Sequence, residues 1–147
     1  MITLTIGGIP MAKGRARTVR LKNGKVKTFT PEDTAIWEQE VRLAALPHRP
    51  RVPLDGPLEA EMTFYLYRPG GKKREYPCVR PDLDNYAKSV LDALNGIIYT
   101  DDSRIVKLTL SKLYGDPRVE VKIWEAANHG KADEAPPAGC SGIRPRT

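Results

Sequence analysis

Cysteine and histidine are scarce in this chain of 147 residues, two of each. Cys78 and Cys140 cannot build a disulfide framework. Neither they nor His48 and His129 fall at the spacings of thiolate or imidazole metal sites. A reducing, cytoplasmic setting is therefore expected. Long apolar runs are also missing, and nothing approaches the roughly 20 residues that cross a bilayer. The opening MITLTIGGIP lacks the basic stretch and apolar core of a secretory signal, so no membrane partner is expected. No G-x-x-x-x-G-K-[ST] loop occurs, and Gly7-Gly8-Ile9-Pro10 is too short and proline-rich for a dinucleotide fingerprint. A nucleotide cofactor is not expected.

Positive charge is what the chain has in excess. Lys and Arg number 24 against 18 Asp and Glu, a net charge of +6. Its distribution says more than its total. Lys13, Arg15, Arg17, Arg20, Lys22, Lys25 and Lys27 have no acidic residue among them, and Arg68, Lys72, Lys73, Arg74 and Arg80 have only Glu75. Segregated cations of this kind gain free energy by displacing counterions from a polyanion, which points to nucleic acid.

The apolar pattern predicts one α/β domain of α+β type over residues 1–125, followed by a disordered tail over 126–147. Ile2, Leu4 and Ile6 alternate as a strand does. The basic stretch from Lys13 to Lys27, broken by Gly14 and Asn23-Gly24, reads as a loop or loose hairpin. Thr30-Pro31-Glu32-Asp33 starts a helix, with Ile36, Trp37, Val41, Ala44 and Ala45 on its apolar stripe. Leu58 to Tyr67 alternates cleanly as a second strand. A second helix runs from Asp84 with Tyr86, Ala87, Val90, Leu91 and Leu94 inward and Gly96 at its end. Ile105–Leu113 and Val119–Trp124, joined by Gly115-Asp116-Pro117, are expected to pair as an antiparallel hairpin. The order β-α-β-α-β-β implies a mixed sheet packed on two helices.

The chemistry concentrates between Pro81 and Asp102. Asp82 and Asp84 sit where the second helix begins, and Lys88 and Asp92 follow at four-residue steps along its polar side. Asp101-Asp102 comes where the chain turns back. Crowded carboxylates need a compensating cation, and Mg²⁺ takes oxygen ligands of this kind. Such an ion can activate water for attack on a phosphodiester, with Lys88 placed to stabilise the transition state. Each residue also has an ordinary reading as an N-cap, a rung of an ion-pair ladder or a turn. Their concentration on a net basic chain favours the joint reading.

Three blocks together resemble the RusA family of Holliday junction resolvases. They are Pro81-Asp82-Leu83-Asp84-Asn85 with Lys88, Leu91-Asp92-Ala93-Leu94-Asn95-Gly96, and Tyr99-Thr100-Asp101-Asp102-Ser103-Arg104-Ile105. Gly8-Ile9-Pro10, Lys13-Gly14-Arg15-Ala16-Arg17 and Thr30-Pro31-Glu32 follow the same family's order. The likeness covers about Ile6 to Trp124. It implies a homodimer that binds four-way DNA junctions and nicks two strands symmetrically in recombination and repair, using Mg²⁺ or Mn²⁺. Such enzymes are common in phages. Carried over by position, it implies that Asp82, Asp84 and Asp102 bind metal, with Asp101 as a substitute or supporting group. Lys88 matches the family's catalytic lysine. Lys13, Arg15 and Arg17 match its basic positions, implying contact with the DNA backbone, as the cluster of Lys72, Lys73, Arg74 and Arg80 does by charge. Tyr86 departs from a more usual aliphatic residue. The alternatives are a non-catalytic, structure-selective DNA-binding protein and a small-molecule phosphohydrolase, the latter leaving the basic segments unexplained.

Overall fold

The computed structural model describes residues 1–13, 17–20, 24–29, 32–70 and 74–127, with only the backbone described for 17–20 and 26–29. The expected tail lies outside these residues from 128 onward. The elements are β1 (Ile2–Gly7), β2 (Arg17–Arg20), β3 (Val26–Phe29), α1 (Glu32–Ala45), β4 (Leu58–Leu66), α2 (Leu83–Leu94), β5 (Ile105–Tyr114) and β6 (Arg118–Glu125). Short 3-10 turns follow α1 at Leu46–His48 and precede β5 at Asp102–Arg104. The order is as expected, and of the two readings of the basic stretch, loop or loose hairpin, the hairpin is the one that forms, with β2 paired antiparallel to β3. Among the described residues no helix is long and apolar enough to cross a membrane.

β1, β6, β4 and β5 form one mixed sheet in that order, with β4 parallel to β5 and antiparallel to β6. Alternation along the strands sends Leu4 and Ile6, Val119, Val121 and Ile123, and Met62 and Phe64 into a single core with the helices. In α1 the buried positions are Thr34, Trp37, Val41 and Ala45, while Ile36 is exposed. The stripe is rotated from the expected one because Thr34 can go inside: its hydroxyl donates to the Ala12 carbonyl at 3.2 Å. In α2 Tyr86 is buried and stacks on Phe64, ring centroids 5.2 Å apart.

The expected β5–β6 hairpin does not form. The two strands flank β4, which lies hydrogen-bonded between them. The reason lies in β4, whose inward Leu58, Ala60, Met62 and Phe64 are all essentially inaccessible and need a neighbour on each side. β5 has exposed residues at 106–109 and suits an edge. The connection must therefore step across two strand spacings, about 10 Å, rather than turn back on itself. It does so over the end of β4, where the Gly115 N–H donates to the Leu66 carbonyl at 3.0 Å.

Glycine is required at this crossing. A Cβ at Gly115 would stand 2.9 Å from the Tyr65 ring. That ring cannot retreat freely, since the Arg118 guanidinium lies over it at 3.6 Å. Gly115→Ala is expected to lower stability by about 1–3 kcal/mol, the usual effect of overpacking, as read from urea denaturation.

Candidate active site

α2 sorts its side chains by the helical period, burying Tyr86, Ala87, Ser89, Val90, Ala93 and Leu94 and leaving Asp84, Asn85 and Lys88 outside. Asp82 occupies the N-cap position with extended backbone, φ −73° and ψ 153°. Its carbonyl accepts from the Asn85 and Tyr86 amides, but its carboxylate makes no capping bond. The ordinary explanation for an Asp at this point is therefore not realised. Asp82 and Asp84 present exposed carboxylates at the positive end of the helix, where negative charge is favoured. The expected ladder along α2 is also incomplete. Lys88 pairs with Asp92 at 3.4 Å, whereas among the described residues Asp84 has no ion pair.

The segment from Asn95 to Arg104 returns the chain past α2. Gly96, φ +82°, makes the left-handed turn that ends the helix, and its N–H donates to the Tyr99 carbonyl at 2.7 Å. Tyr99 is wholly buried and its hydroxyl donates to the Leu91 carbonyl at 2.8 Å, tying the return to the last turns of α2. Burial, and then the charges of Asp102, Asp92 and Asp101, push this phenol far above its ordinary pKa, so it stays a neutral donor. On the other side, Leu54 exchanges backbone bonds with Ile98 and Thr100. The Asp55 carboxylate accepts from the Thr100 hydroxyl at 2.6 Å and from Arg104 Nε at 3.0 Å.

This pinning gives the adjacent aspartates different surroundings. Asp101 caps the 3-10 turn, accepting from the Ser103 amide at 2.9 Å. That bond, with smaller contributions from Arg104 and Lys88, holds its carboxyl below the usual range. Asp102 is half-buried and opens the turn. The return thus brings Asp101 within the field of Lys88, and Asp102 and Asp92 within that of Tyr99. It does not assemble a closed metal cage. Among the described residues no three His, Cys, Asp or Glu side chains stand together as a metal-holding group. The donors present are all oxygen, which suits Mg²⁺ or Mn²⁺ and not a thiolate or imidazole site.

The basic positions divide. Arg15, Lys72 and Lys73 lie outside the described residues, and Arg17 is placed only by its backbone in β2. Arg74 and Arg80 are exposed and, among the described residues, have no ion pair. Lys13 is engaged within the protein instead. Its ammonium lies between Glu38 of α1 and Asp92 of α2, at 3.2 Å from the latter. Burial alone would depress its pKa, but the bonds and charges of Glu38 and Asp92 outweigh this and raise it. Glu38, Asp55 and Tyr99 were not among the expected site residues. Glu38 flanks the buried stripe of α1, next to Trp37, a place where a charge must find a partner on the facing helix.

The sequence model of the endodeoxyribonuclease RusA family matches residues 8–124. The chain is 40% identical over 139 residues to the uncharacterized protein YqaN of Bacillus subtilis strain 168, covering 86% of this chain and 97% of that protein. It is 38% identical over 73 residues to the crossover junction endodeoxyribonuclease rusA of Lactococcus phage r1t, covering 47% of this chain and 55% of the phage protein. The chain belongs to the RusA endodeoxyribonuclease family. At that level it is a nuclease of the kind that resolves Holliday junctions, a family generally dependent on divalent metal.

Because Tyr99 alone supplies the donor to the Leu91 carbonyl from the return, Tyr99→Phe is expected to destabilise the fold by about 1–3 kcal/mol. The loss should be the same between about pH 6 and pH 9, where a phenol of raised pKa does not titrate. Denaturant melts at both ends of that range check it.

Proposed function

We propose that this protein resolves four-way DNA junctions in recombination and repair by paired nicks, with Mg²⁺ or Mn²⁺ held by Asp82, Asp84 and Asp102 and with Lys88 beside the scissile phosphate. The observation that carries the reading is the N-cap carboxylate of Asp82. It has no capping bond, and the neighbouring Asp84 stands one turn before Lys88 on the exposed side of α2, while Asp101, the alternative third ligand, is occupied by Ser103. Mg²⁺ commonly keeps several waters and takes one or two carboxylates together with phosphate oxygens, so the donors here fit it without a closed cage. When bound, the ion supplies Lewis-acid stabilisation of the phosphate and an acidified water.

The chain's own groups do the rest. Asp82 and Asp84 at the helix start, with Asp102 on the return, would hold the ion together with its waters. Lys88, with 58% of its side chain exposed, neutralises charge as it develops on the phosphate oxygens. Arg15, Arg17, Lys72, Lys73, Arg74 and Arg80 hold the backbone of the junction arms, which makes binding steeply salt-dependent. Two symmetric nicks need two such sites, so the active species is a homodimer. The chain acts in the cytoplasm.

A second reading, a non-catalytic binder of branched DNA, is favoured by one observation: no three carboxylates stand together among the described residues. One experiment separates the two. Asp84→Asn should bind a labelled four-way junction as the wild type does and lose nicking in Mg²⁺ by about 100-fold or more, the scale on which one lost electrostatic partner of a transition state is felt. Nicking that survives this change sinks the assignment of Asp84. A wild type that binds but never nicks in Mg²⁺ or Mn²⁺ establishes the binder instead.

A further inference from the structure

Residues 11–13 run between the two helices and are bonded to both. The Met11 carbonyl accepts from the Ser89 hydroxyl of α2 at 2.8 Å, and the Ala12 carbonyl accepts from Thr34 of α1 at 3.2 Å. The Lys13 N–H donates to the Asn85 carbonyl at 3.0 Å, one residue past Asp84. Ser89 is completely buried and also accepts the Trp37 indole N–H at 3.2 Å. The backbone of Lys13 is thereby fixed against the first turns of α2, and its side chain runs along the seam between the helices.

The side chain ends among charges. Glu38 and Asp92 both contact its ammonium, and the second oxygen of Asp92 contacts Lys88. The order is Glu38, Lys13, Asp92, Lys88, alternating in sign. The Lys13 and Asp92 side chains are only 29% and 24% exposed, Glu38 12%, against 58% for Lys88. Three members lie in the seam and the fourth reaches solvent. Asp92 therefore divides one negative charge between an interior cation and an exposed one.

We propose that Lys13 is a positioning residue for Lys88, holding the inner side of the Asp92 carboxylate so that the Lys88 ammonium stays only loosely bound and can turn to a phosphate. This rests on the nuclease reading above. It also moves Lys13 from the DNA surface, where the family resemblance put it, into the support of the site. Without Lys13, Glu38 and Asp92 lose the cation between them and Asp92 turns its full charge on Lys88. The ammonium is then drawn along the helix toward its C-terminal end, away from Asp84.

The test uses the full chain and a labelled four-way junction. Binding is measured without divalent metal over a range of salt, and single-turnover nicking in Mg²⁺ at saturating protein. Lys13→Met should leave the slope of log affinity against log salt unchanged, whereas loss of a phosphate contact would reduce it by about 1. Its nicking rate should fall by about 10-fold. Lys13→Met/Asp92→Asn, which removes one charge of each sign and leaves Glu38 without a neighbouring anion, should recover most of that rate. The double variant also guards against a single variant that fails to fold, since its slope reports on Lys13 in the same way. A slope reduced by about 1 with an unchanged rate makes Lys13 a DNA contact and overturns the proposal. A rate loss that Asp92→Asn does not relieve overturns the route through Asp92. A wild type that binds but does not nick refutes the nuclease reading, and the salt slopes still place Lys13 on or off the DNA.

Discussion

One buried hydroxyl joins the parts of this molecule that matter for its chemistry. Ser89 is on the inner face of α2, accepts from Trp37 of α1 and donates to the carbonyl of Met11. Three segments far apart in sequence meet at a single oxygen shielded from water, where each unmade bond would cost about 1–3 kcal/mol. The consequence is rotational. With Ser89 inward, the helical period sends Asp84, Asn85 and Lys88 outward and Asp92 to the seam. A polar pin thus sets which face of α2 is offered to a ligand, where an apolar contact alone would tolerate some rotation.

The far side of the site depends on different forces. Tyr99 and Asp55 hold the return from opposite sides, one by a buried neutral donor and the other by an exposed carboxylate. The first is insensitive to salt, because a phenol kept neutral by burial carries no charge to screen. The second is an exposed ion pair, screened by solvent and weakened by counterions. Under the proposed reading the return carries the third carboxylate. Its position relative to α2 then rests on the Tyr99 bond more than on the ion pair.

Much of this was legible in the sequence because it depends on local period. Both helices, the clean strand at 58–66 and the exposure of Asp84 and Lys88 follow from spacing alone. Strand order did not follow, since Gly115-Asp116-Pro117 is equally good chemistry for a tight hairpin and for a step over a neighbouring strand. What decides between them is the exposure of β5 at residues 106–109, which suits the sheet edge, so that β4 and β6, both buried along their inner faces, pair with each other in the middle. The place of Lys13 was hidden for a similar reason. It opens a run of seven cations without an acid among them, and its partners, Glu38 and Asp92, lie 25 and 79 positions away on separate helices.

The two adjacent aspartates show how backbone geometry divides identical chemistry. Asp101 is extended, φ −163°, and its side chain folds over the turn it begins to meet the Ser103 amide. Asp102 is already inside that turn, so no following amide of the turn is left for it in the same way, and it is half-buried instead. A carboxylate bound to an amide has lost part of its capacity to accept from anything else, and Asp101 makes such a bond. The neighbour without it keeps its lone pairs. If a cation or a phosphate-bound water is to be held from this side of the site, the unspent acceptor is the better candidate. The same logic applies at Asp82, which holds the N-cap position without the N-cap bond. Both argue that the carboxylates to test first are those whose structural duties are carried by their backbone alone.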